Sequence, residues 1–342
     1  VRQRLAARLG LAPQFLRLVR GSQELRGKEA AGDLLGATLD VVVVPPPMAV
    51  TSSLDRTIRV WDLDALTCIG KLRGHTQSVS AVALDSGSLR AVSGSDDGTL
   101  RLWDLRAMTC LGVLKGHEHY VKAVSADFEA RRALSGSSDF SVRVWDLESM
   151  SCVAVLEGHA NTVCAVHADF AQRRAVSGSW DRTLRVWDLD QMACAGVLEG
   201  HENRVLGISA SFAAARAVSA SADCTLRVWD LEAMSCLGTL GQGHEHQNGV
   251  TAVSADFDMR RAVSGSLDHT VCIWDLDTLT CLGVIEASRH GVWAVSADFR
   301  AQRALSGCRA GVLKVWDLRT LLCVGELPGH DGDLTGVSAC YA

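Results

Sequence analysis

Serine, histidine and aspartate, the residue types of the serine-hydrolase triad, recur in similar sets along this chain of 342 residues. Each set has Asp six residues before a Trp, Ser or Thr ten residues before it, and a His further upstream. One such set could activate a hydroxyl for acyl transfer if an oxyanion hole stood beside it. An enzyme needs one such site, whereas a buried network that ties strands together is needed in every repeat. The recurrence therefore favours a structural role.

These sets follow a sequence repeat. Seven of the nine Trp residues lie in the tripeptide Trp-Asp-Leu, and successive copies are separated by 42 residues five times and by 45 once. Each unit has four short β-branched or alternating runs between turns rich in Gly, Ser, Asp and His. A period of about 40–45 residues is the length of one four-stranded propeller blade. The repeated residues are Trp61, Trp103, Trp145, Trp187, Trp229, Trp274 and Trp316.

The pattern resembles the WD40-repeat family over residues 48–342. The resemblance implies an all-β fold, a seven-bladed WD40 β-propeller in which each repeated Trp ends the third strand of its blade. The first copy supplies only three strands, six complete copies follow, and residues 334–341 align with the missing innermost strand. We therefore expect this C-terminal strand to pair with the N-terminal blade and close the ring, which removes the open sheet edges.

The resemblance also implies a hydrogen-bonded tetrad in each blade, running from Trp through Ser or Thr and His to Asp. The blade of Trp316 departs, because Ser288 stands where His is expected and Ala310 where Asp is expected, so we predict that it is the softest blade. The tetrads expected in the other blades are His75, Ser93, Asp97 and Trp103; His117, Ser135, Asp139 and Trp145; His159, Ser177, Asp181 and Trp187; His201, Ser219, Asp223 and Trp229; His244, Ser264, Asp268 and Trp274; and His330 with Thr51, Asp55 and Trp61.

Residues 1–44 differ from the repeats in composition and are followed by three prolines at 45–47, which we interpret as a linker. A short amphipathic helix, a strand at 15–19, a turn and a strand at 38–44 resemble a partial ubiquitin-like (β-grasp) segment that lacks its first hairpin. Alternatively, residues 38–44 are the innermost strand of the first blade, in competition with residues 334–341. We favour the C-terminal strand because it follows a Gly-His turn.

In this architecture two kinds of turn surround one mouth of the channel, and their residues vary while the framework repeats. The two remaining Trp residues, Trp180 and Trp293, both fall there. Aromatic and Arg residues are typical of interaction hot spots, which favours a partner-binding role. The alternative is that these are ordinary turn residues that fill gaps at the channel mouth. The predicted partner-binding residues are Trp180, Trp293, Tyr120, Lys122, Leu54, Leu206, Leu267, Asp96 and Arg309.

Composition narrows the function further. With 34 basic and 39 acidic residues the net charge is −5, which argues against nucleic-acid partners. The most apolar stretch, residues 41–50, contains three prolines and is too short to span a membrane. Seven of the 12 Cys lie seven residues after a repeated Trp, and we expect them to be small buried residues of the fourth strand. Free thiols favour the cytoplasm or the nucleus. We find no metal-ligand spacing and expect no cofactor.

The sequence thus predicts a non-catalytic scaffold that binds a protein or peptide at the channel mouth. A second hypothesis is a substrate receptor of a cullin-type ubiquitin ligase, because Trp103, Asp104 and Arg106 resemble the Trp-Asp-x-Arg motif that docks such receptors on a ligase adaptor, as does the copy at 316–319. A propeller hydrolase is a remote alternative, since every Ser, His and Asp set is a repeat element. The start at Val1 favours a fragment or a processed product.

Overall fold

The structure is a computed structural model that describes residues 46–341 except Ser86, Gln242 and His244, together with the backbone of three short strands before residue 44. Every regular element in these described residues is a β-strand. From residue 48 onward the strands form seven sheets of four, which are the blades of a propeller. The all-β seven-bladed fold is confirmed.

Each blade repeats one pattern of burial and turns. In the second strand of blade 3 (Arg132–Ser137) five consecutive residues are buried, because neighbouring blades cover both faces of this central strand. The third strand (Val142–Asp146) alternates more, and its penultimate residue is the fully buried Trp145. The pairing between strands c and d shifts register between Val144 and Trp145, which bends the outer edge of the sheet. The equivalent shift occurs directly before the repeated Trp in blades 1, 4, 5, 6 and 7.

We number the described strands β1 to β31 in chain order and name the four strands of each blade a to d from the channel outward. Blades 1 to 3 contain β4 (Met48–Ser53), β5 (Thr57–Asp62) and β6 (Thr67–Arg73); β7 (Val79–Asp85), β8 (Arg90–Ser95), β9 (Thr99–Asp104) and β10 (Thr109–Lys115); and β11 (Val121–Asp127), β12 (Arg132–Ser137), β13 (Val142–Asp146) and β14 (Ser151–Leu156).

Blades 4 and 5 contain β15 (Val163–Asp169), β16 (Arg174–Ser179), β17 (Leu184–Asp188) and β18 (Ala193–Leu198); and β19 (Val205–Ser211), β20 (Arg216–Ser221), β21 (Leu226–Asp230) and β22 (Ser235–Leu240). Blades 6 and 7 contain β23 (Val250–Asp256), β24 (Arg261–Ser266), β25 (Thr270–Asp275) and β26 (Thr280–Glu286); and β27 (Val292–Asp298), β28 (Arg303–Cys308), β29 (Val312–Asp317) and β30 (Leu322–Pro328). The last strand is β31 (Leu334–Cys340).

The ring is closed by β31, which becomes strand a of blade 1. It pairs antiparallel with β4, from Leu334 opposite Ser53 to Cys340 opposite Met48. The expected closure by the C-terminal strand is therefore confirmed. The two ends of the propeller are joined by a backbone ladder, and the strand that would otherwise expose its edge is paired.

The hydrophobic core is divided among the interfaces between successive blades. Between blades 2 and 3, Val92 and Leu100 pack with Val121 and Trp145. The closing interface uses the equivalent repeat positions, since Leu305 and Leu313 of blade 7 pack with Trp61 and Leu334 of blade 1. Each blade therefore depends on its neighbours for burial, as in other repeat architectures.

Three strands precede the propeller: β1 (Leu16–Arg20), β2 (Gln23–Glu24) and β3 (Asp40–Val43). They form one antiparallel sheet in the order β2-β1-β3. The alternative that residues 38–44 supply strand a of blade 1 is therefore wrong, because β3 pairs with β1 and β31 occupies that place. The amphipathic helix expected near Val1 lies outside the described residues. The ubiquitin-like resemblance stays a prediction.

Candidate functional site

The tetrad of blade 3 shows how the repeated polar residues are used. The indole Nε1 of Trp145 donates to Ser135 Oγ at 2.7 Å. The Ser135 hydroxyl lies 2.7 Å from His117 Nε2, and His117 Nδ1 lies 2.7 Å from Asp139 Oδ2. Because the indole can only donate, Ser135 accepts from it and donates its own proton to Nε2, so Nδ1–H is left to donate to the carboxylate. The chain needs Trp at this point because Phe has no donor.

Burial and hydrogen bonds fix the charges of this tetrad. Burial lowers the pKa of His117, which keeps the imidazole neutral, although Asp139 opposes the shift. For Asp139, burial acts to raise the pKa, but the hydrogen bonds from His117 and Ser141 outweigh it and hold the pKa below its usual range. Ser135 is fully buried, so no substrate can reach its hydroxyl. The arrangement ties strands together and is not a nucleophile site.

Each tetrad Asp also shapes the turn between strands b and c. Asp139 Oδ1 accepts the N–H and the hydroxyl of Ser141, at 3.0 and 2.6 Å. Between them Phe140 has φ of 70°, in the left-handed region that a bulky residue adopts rarely. The Asp139 carboxylate therefore binds the histidine and also stabilises this strained turn. It accepts the N–H of Glu118 as well, and this bond links the turn between strands b and c to the turn that enters strand a.

The structure forms the same chain of contacts in blades 1, 2, 4 and 5. Blade 1 is assembled from both ends of the chain, since Thr51, Asp55 and Trp61 meet His330. The other three sets are His75, Ser93, Asp97 and Trp103; His159, Ser177, Asp181 and Trp187; and His201, Ser219, Asp223 and Trp229.

Blade 6 requires a correction. The expected histidine, His244, lies outside the described residues, and the tetrad position is taken by His246. His246 Nε2 lies 2.7 Å from Ser264 Oγ and its Nδ1 lies 3.0 Å from Asp268 Oδ2. The separation of 18 residues between His and Ser, which is also found in blades 2 to 5, points to His246. The Gly-His dipeptide at 243–244 misled the prediction, because the longer repeat places its extra residues before His246.

Blade 7 keeps only part of the network. Trp316 Nε1 donates to Ser306 Oγ at 2.8 Å. Ser288 replaces the histidine, and its Oγ instead accepts the N–H of His290 at 3.1 Å. Ala310 replaces the aspartate and has φ of 93°, with no side-chain acceptor of its own to hold the turn.

The seven innermost strands surround the central channel. Three residues of each strand line it, including one residue of each strand from the first group of mouth positions: Ser80, Lys122, Cys164, Leu206, Thr251, Trp293 and Thr335. The structure therefore brings Lys122, Leu206 and Trp293 into one channel wall, as expected from their equivalent places in the repeat.

Polar contacts join several predicted mouth residues. Asp96 Oδ1 accepts from Lys122 Nζ and from Ser80 Oγ, both at 2.7 Å. The Lys122 ammonium also lies 4.9 Å from the centre of the Tyr120 ring, and that ring is 40% exposed. Tyr120, Lys122 and Asp96 therefore form one cluster across blades 2 and 3. Leu54, on the other side of blade 2, is 47% exposed.

The two additional Trp residues each lie under an arginine. The Arg204 guanidinium is 4.2 Å from the Trp180 ring, and the Arg309 guanidinium is 5.7 Å from the Trp293 ring. Burial raises the pKa of the neighbouring Cys164 thiol to about 12, although Trp180 opposes part of the rise. Both Trp residues are half-buried.

Apart from Tyr120, the residues predicted at the mouth did not include those in the turns between strand d and the next strand a. Arg204 belongs to this group, as do Asn248 and His290, which line a cavity with Leu267, Trp293 and Arg309. Arg204 directly precedes the buried first residue of β19, Val205. Arg204 therefore occupies the same place in its repeat as the predicted Tyr120, which precedes Val121, and the repeat could have identified it.

The candidate ligase-docking motif lies at the turn between strands c and d. Trp103 is 1% exposed and belongs to the tetrad, and Asp104 Oδ1 accepts the N–H of Arg106 at 2.7 Å. Arg106 and Arg319 are exposed. In the other blades the aspartate of Trp-Asp also accepts the N–H of the residue two positions later. Only the Arg106 and Arg319 side chains therefore distinguish the two Trp-Asp-x-Arg copies from the other repeats.

The expectation that the seven repeated cysteines are buried is wrong. Strand d is the outermost strand, and one of its faces meets solvent. Within it, Cys152 and Cys281 are partly buried, and the exposed ones are Cys68, Cys110, Cys194, Cys236 and Cys323. In blades 1 to 5 the thiol lies 3.5–3.9 Å from an arginine of strand c, as Cys194 does from Arg185.

Among the described residues no group of three His, Cys, Asp or Glu side chains could hold a metal ion. That part of the chain also has no helix long and apolar enough to cross a membrane.

A ring of seven four-stranded blades, six of them tied by a network of Trp, Ser or Thr, His and Asp and the ring closed by its C-terminal strand, defines a repeat propeller. The family model described as WD domain, G-beta repeat matches seven segments that together make up most of the chain: residues 45–62, 66–104, 108–146, 150–188, 192–230, 234–275 and 279–317. The chain belongs to the WD40 family.

Curated relatives match over about one blade. The chain is 56% identical over 36 residues to mitochondrial division protein 1 of Phaeosphaeria nodorum, which is 10% of this chain and 5% of that protein. It is 48% identical over 42 residues to mitochondrial division protein 1 of Sclerotinia sclerotiorum, which is 12% of this chain and 6% of the relative. The matches therefore span only a small part of the relatives.

Proposed function

We propose that this protein is a non-catalytic scaffold that captures a protein or peptide partner at the channel mouth. The carrying observation is the pair Trp180 and Trp293, which no tetrad uses and which each lie half-buried under an arginine. Large aromatic side chains with neighbouring Arg are the usual energetic anchors of protein interfaces. Lys122, Tyr120 and Leu54 add charge and apolar surface on blades 1 to 3.

A hydrolase is disfavoured by where the candidate nucleophiles lie. The tetrad hydroxyls of Ser93, Ser135, Ser177, Ser219 and Ser264 are fully buried. Each of them is engaged by an indole on one side and an imidazole on the other, so none is free to attack a substrate.

The test is affinity capture followed by mass spectrometry with the double variant Trp180→Ala and Trp293→Ala. We expect this variant to lose partners that the unaltered protein retains. The matched control is Leu322→Ala with Val324→Ala, which removes two apolar side chains that are 66% and 56% exposed on the outer strand of blade 7. Equal capture by both variants, with unfolding temperatures unchanged, would place the partner site elsewhere.

One observation favours a second candidate, a substrate receptor of a cullin-type ubiquitin ligase. Five blades have an acidic residue two positions after the Trp-Asp aspartate, namely Asp64, Glu148, Asp190, Glu232 and Asp277, whereas blades 2 and 7 have Arg106 and Arg319. A basic side chain at this turn would suit an acidic docking surface. Co-purification with a ligase adaptor that is lost in Arg106→Glu but kept in Arg131→Glu would support it.

For localisation we propose the cytoplasm or the nucleus. The exposed cysteines Cys68, Cys110, Cys194, Cys236 and Cys323 are free thiols, which suits a reducing compartment. Fluorescence imaging of the tagged full chain tests this proposal. The relatives named mitochondrial division protein 1 match this chain over about one repeat. Because that similarity lies in the repeat itself, it supports no proposal about an organelle.

A further inference from the structure

We propose that a groove between blades 2 and 3 binds an extended segment of a protein partner that carries a large apolar side chain and, close to it, an Asp or Glu. The groove has a volume of about 390 Å³, which lies in the range of about 300–1,000 Å³ that is usual for ligand sites. Its lining comes largely from the turns between strands a and b and between strands c and d. Because successive strands of a blade are antiparallel, these turns lie at the opposite end of the blade from the channel mouth. The groove is therefore a second surface, separate from the mouth.

The floor of the groove is apolar. Leu102 and Leu147 are buried at its base, whereas Phe128 and Met150 are only partly buried. Leu111 is 45% exposed at its outer side. Methionine is flexible and adapts its shape to what it contacts. The floor thus offers a concave apolar surface that one large side chain of a partner would cover.

Leu111 is presented by an irregularity in β10. The pairing of β10 with β9 shifts register between Cys110 and Gly112, so Leu111 has no opposite residue in the ladder. β10 is also the outermost strand of its sheet, and no described strand pairs with its outer edge. An extended peptide can lie along such an edge while one of its side chains enters the groove. This edge favours a protein segment over a small molecule as the occupant.

The charge of the groove favours an acidic partner. Of the described residues that line it, three are charged, and Arg131 pairs with Glu148 at 2.7 Å. The third, Arg90, is exposed and has no ion pair among the described residues. Asp104 lies opposite Arg90 in the strand pairing, but its Oδ1 accepts two N–H groups of its own turn. Arg90 therefore leaves a free guanidinium at the rim, and a carboxylate is its natural partner.

Two equivalent grooves each lack one of these features. Between blades 3 and 4, the exposed Val153 of strand d lines the groove. The counterpart of Arg90 there, Arg132, pairs with Asp146 at 3.5 Å. Between blades 5 and 6, Arg216 stands in the place of Arg90, but the described lining includes no residue of strand d. Their volumes are about 290 and 310 Å³. Of the three, only the groove between blades 2 and 3 combines an exposed apolar side chain with an unpaired cation.

The experiment selects short peptides from a phage-displayed library on the intact chain and measures their affinities by fluorescence polarisation. We expect peptides whose binding weakens about 10-fold in Leu111→Ser, because apolar contact supplies most of the affinity. Changing the acid of such a peptide to its amide should weaken binding about 3-fold, since an exposed ion pair is weak. Arg90→Gln should remove that difference between acid and amide, as the two changes break the same pair.

The next groove supplies the matched controls. Val153→Ser and Arg132→Gln change the equivalent positions between blades 3 and 4 and should leave the affinities unaltered. A benzophenone at the apolar position of the peptide should label β10 or residues 147–150, as mapped by mass spectrometry. Leu111 and Arg90 are exposed, so the unfolding temperatures of their variants should match that of the unaltered protein.

The outcomes separate this proposal from the proposed function. If every recovered peptide depends on Trp180 and Trp293 and none depends on Leu111, the groove proposal is overturned and the mouth proposal stands. Equal weakening by Leu111→Ser and Val153→Ser also overturns it, because the two grooves would then be equivalent. Peptides that need Leu111 but bind equally as acid and amide contradict the acidic partner. Peptides that depend on Leu111 and not on the two Trp residues support the groove whatever is found at the mouth.

Discussion

His330 Nε2 lies 2.8 Å from Thr51 Oγ1, so two residues that are 279 positions apart in the chain complete the tetrad of blade 1. The same imidazole contacts Asp55 Oδ2 through Nδ1 at 2.9 Å. Ring closure is therefore secured twice, by the backbone ladder between β31 and β4 and by a buried side-chain network. The first and last strands of the propeller therefore belong to one sheet.

Deletion of residues 334–341 should open the ring. It removes the ladder to β4 and the buried Leu334. Each lost backbone hydrogen bond contributes about 1 kcal/mol, so the unfolding temperature should fall by roughly 10 °C or more. Differential scanning calorimetry measures the shift. Deletion of residues 1–8 is the control of equal length, and an equal effect of the two deletions would contradict the closing role of β31.

Removing the tetrad hydroxyl should cost more in blade 4 than in blade 7. Ser177→Ala leaves both the Trp187 indole N–H and His159 Nε2 without a partner, whereas Ser306→Ala affects only the Trp316 indole. We expect losses of about 3 and about 1.5 kcal/mol, because each buried polar group left unpaired costs about 1–3 kcal/mol. Urea denaturation measures both variants. Equal losses would show that blade 7 is no softer at this position.

His246 should matter for stability and His244 should not. His246→Ala leaves the fully buried Ser264 and the carboxylate of Asp268 without their imidazole, which should lower the free energy of unfolding by about 2 kcal/mol or more. His244→Ala, two positions earlier in the same turn of sequence, is the matched control. The same chemical denaturation curves compare them, and a larger loss for His244 would restore the original assignment.

Stability should fall in acid in two stages. The pKa values of His117 and His330 are lowered by burial from 6.5, so below pH 6.5 the unfolded chain takes up protons that the folded chain refuses. Burial tends to raise the pKa of Asp55, but hydrogen bonds from Thr57 and His330 lower it from 3.8 to about 2. This stabilisation is present above pH 3.8 and is lost as the pH falls towards 2.

The midpoint of urea denaturation at a series of pH values tests this prediction. Asp139→Asn should be less stable at neutral pH and should show a smaller loss below pH 4, because one low-pKa carboxyl is gone. Glu157→Gln, at an exposed position, is the control and should follow the unaltered protein. A midpoint that stays constant from pH 7 to pH 3 would contradict the neutral-histidine network.

Thiol labelling should separate the cysteines by strand. In the native protein Cys68, Cys110, Cys194, Cys236 and Cys323 are exposed and should react with a maleimide first. Cys272 is buried, and burial raises its pKa, so it should react only on unfolding. Peptide mass spectrometry over a time course gives the order. Labelling of Cys272 as fast as that of Cys110 would contradict the placement of strand c.

The fold and most of the tetrads could be predicted because they depend on spacing within one repeat. Ser93, Asp97 and Trp103 keep fixed intervals since they lie on adjacent strands joined by a short turn. The histidine lies beyond a loop of variable length, and this is where His244 was chosen in place of His246. Sequence spacing identifies a tetrad residue only where the loop between it and the other tetrad residues has a constant length.

The mouth residues were predicted as a group without their pairings. Equivalent repeat positions predict that Lys122 and Trp293 face the channel, and the structure places both in its lining. The stacking of Arg204 on Trp180 joins two turns that are 24 positions apart, and no repeat rule specifies it. Their role in partner binding stays a prediction, as do the domain boundaries at 44 and 47.

The sequence alone determined the number of blades, the place of each indole donor and the loss of the tetrad in blade 7, because every one of these follows from residue type and interval. Only the tertiary structure decided that β3 pairs with β1 and that β31 closes the ring. The sequence offered both segments as candidates for strand a of blade 1. The tertiary structure also decided that the cysteines of strand d meet solvent and that a cavity opens beside Trp293. Exposure and cavities arise where separate blades meet, and their geometry depends on packing between residues distant in the chain.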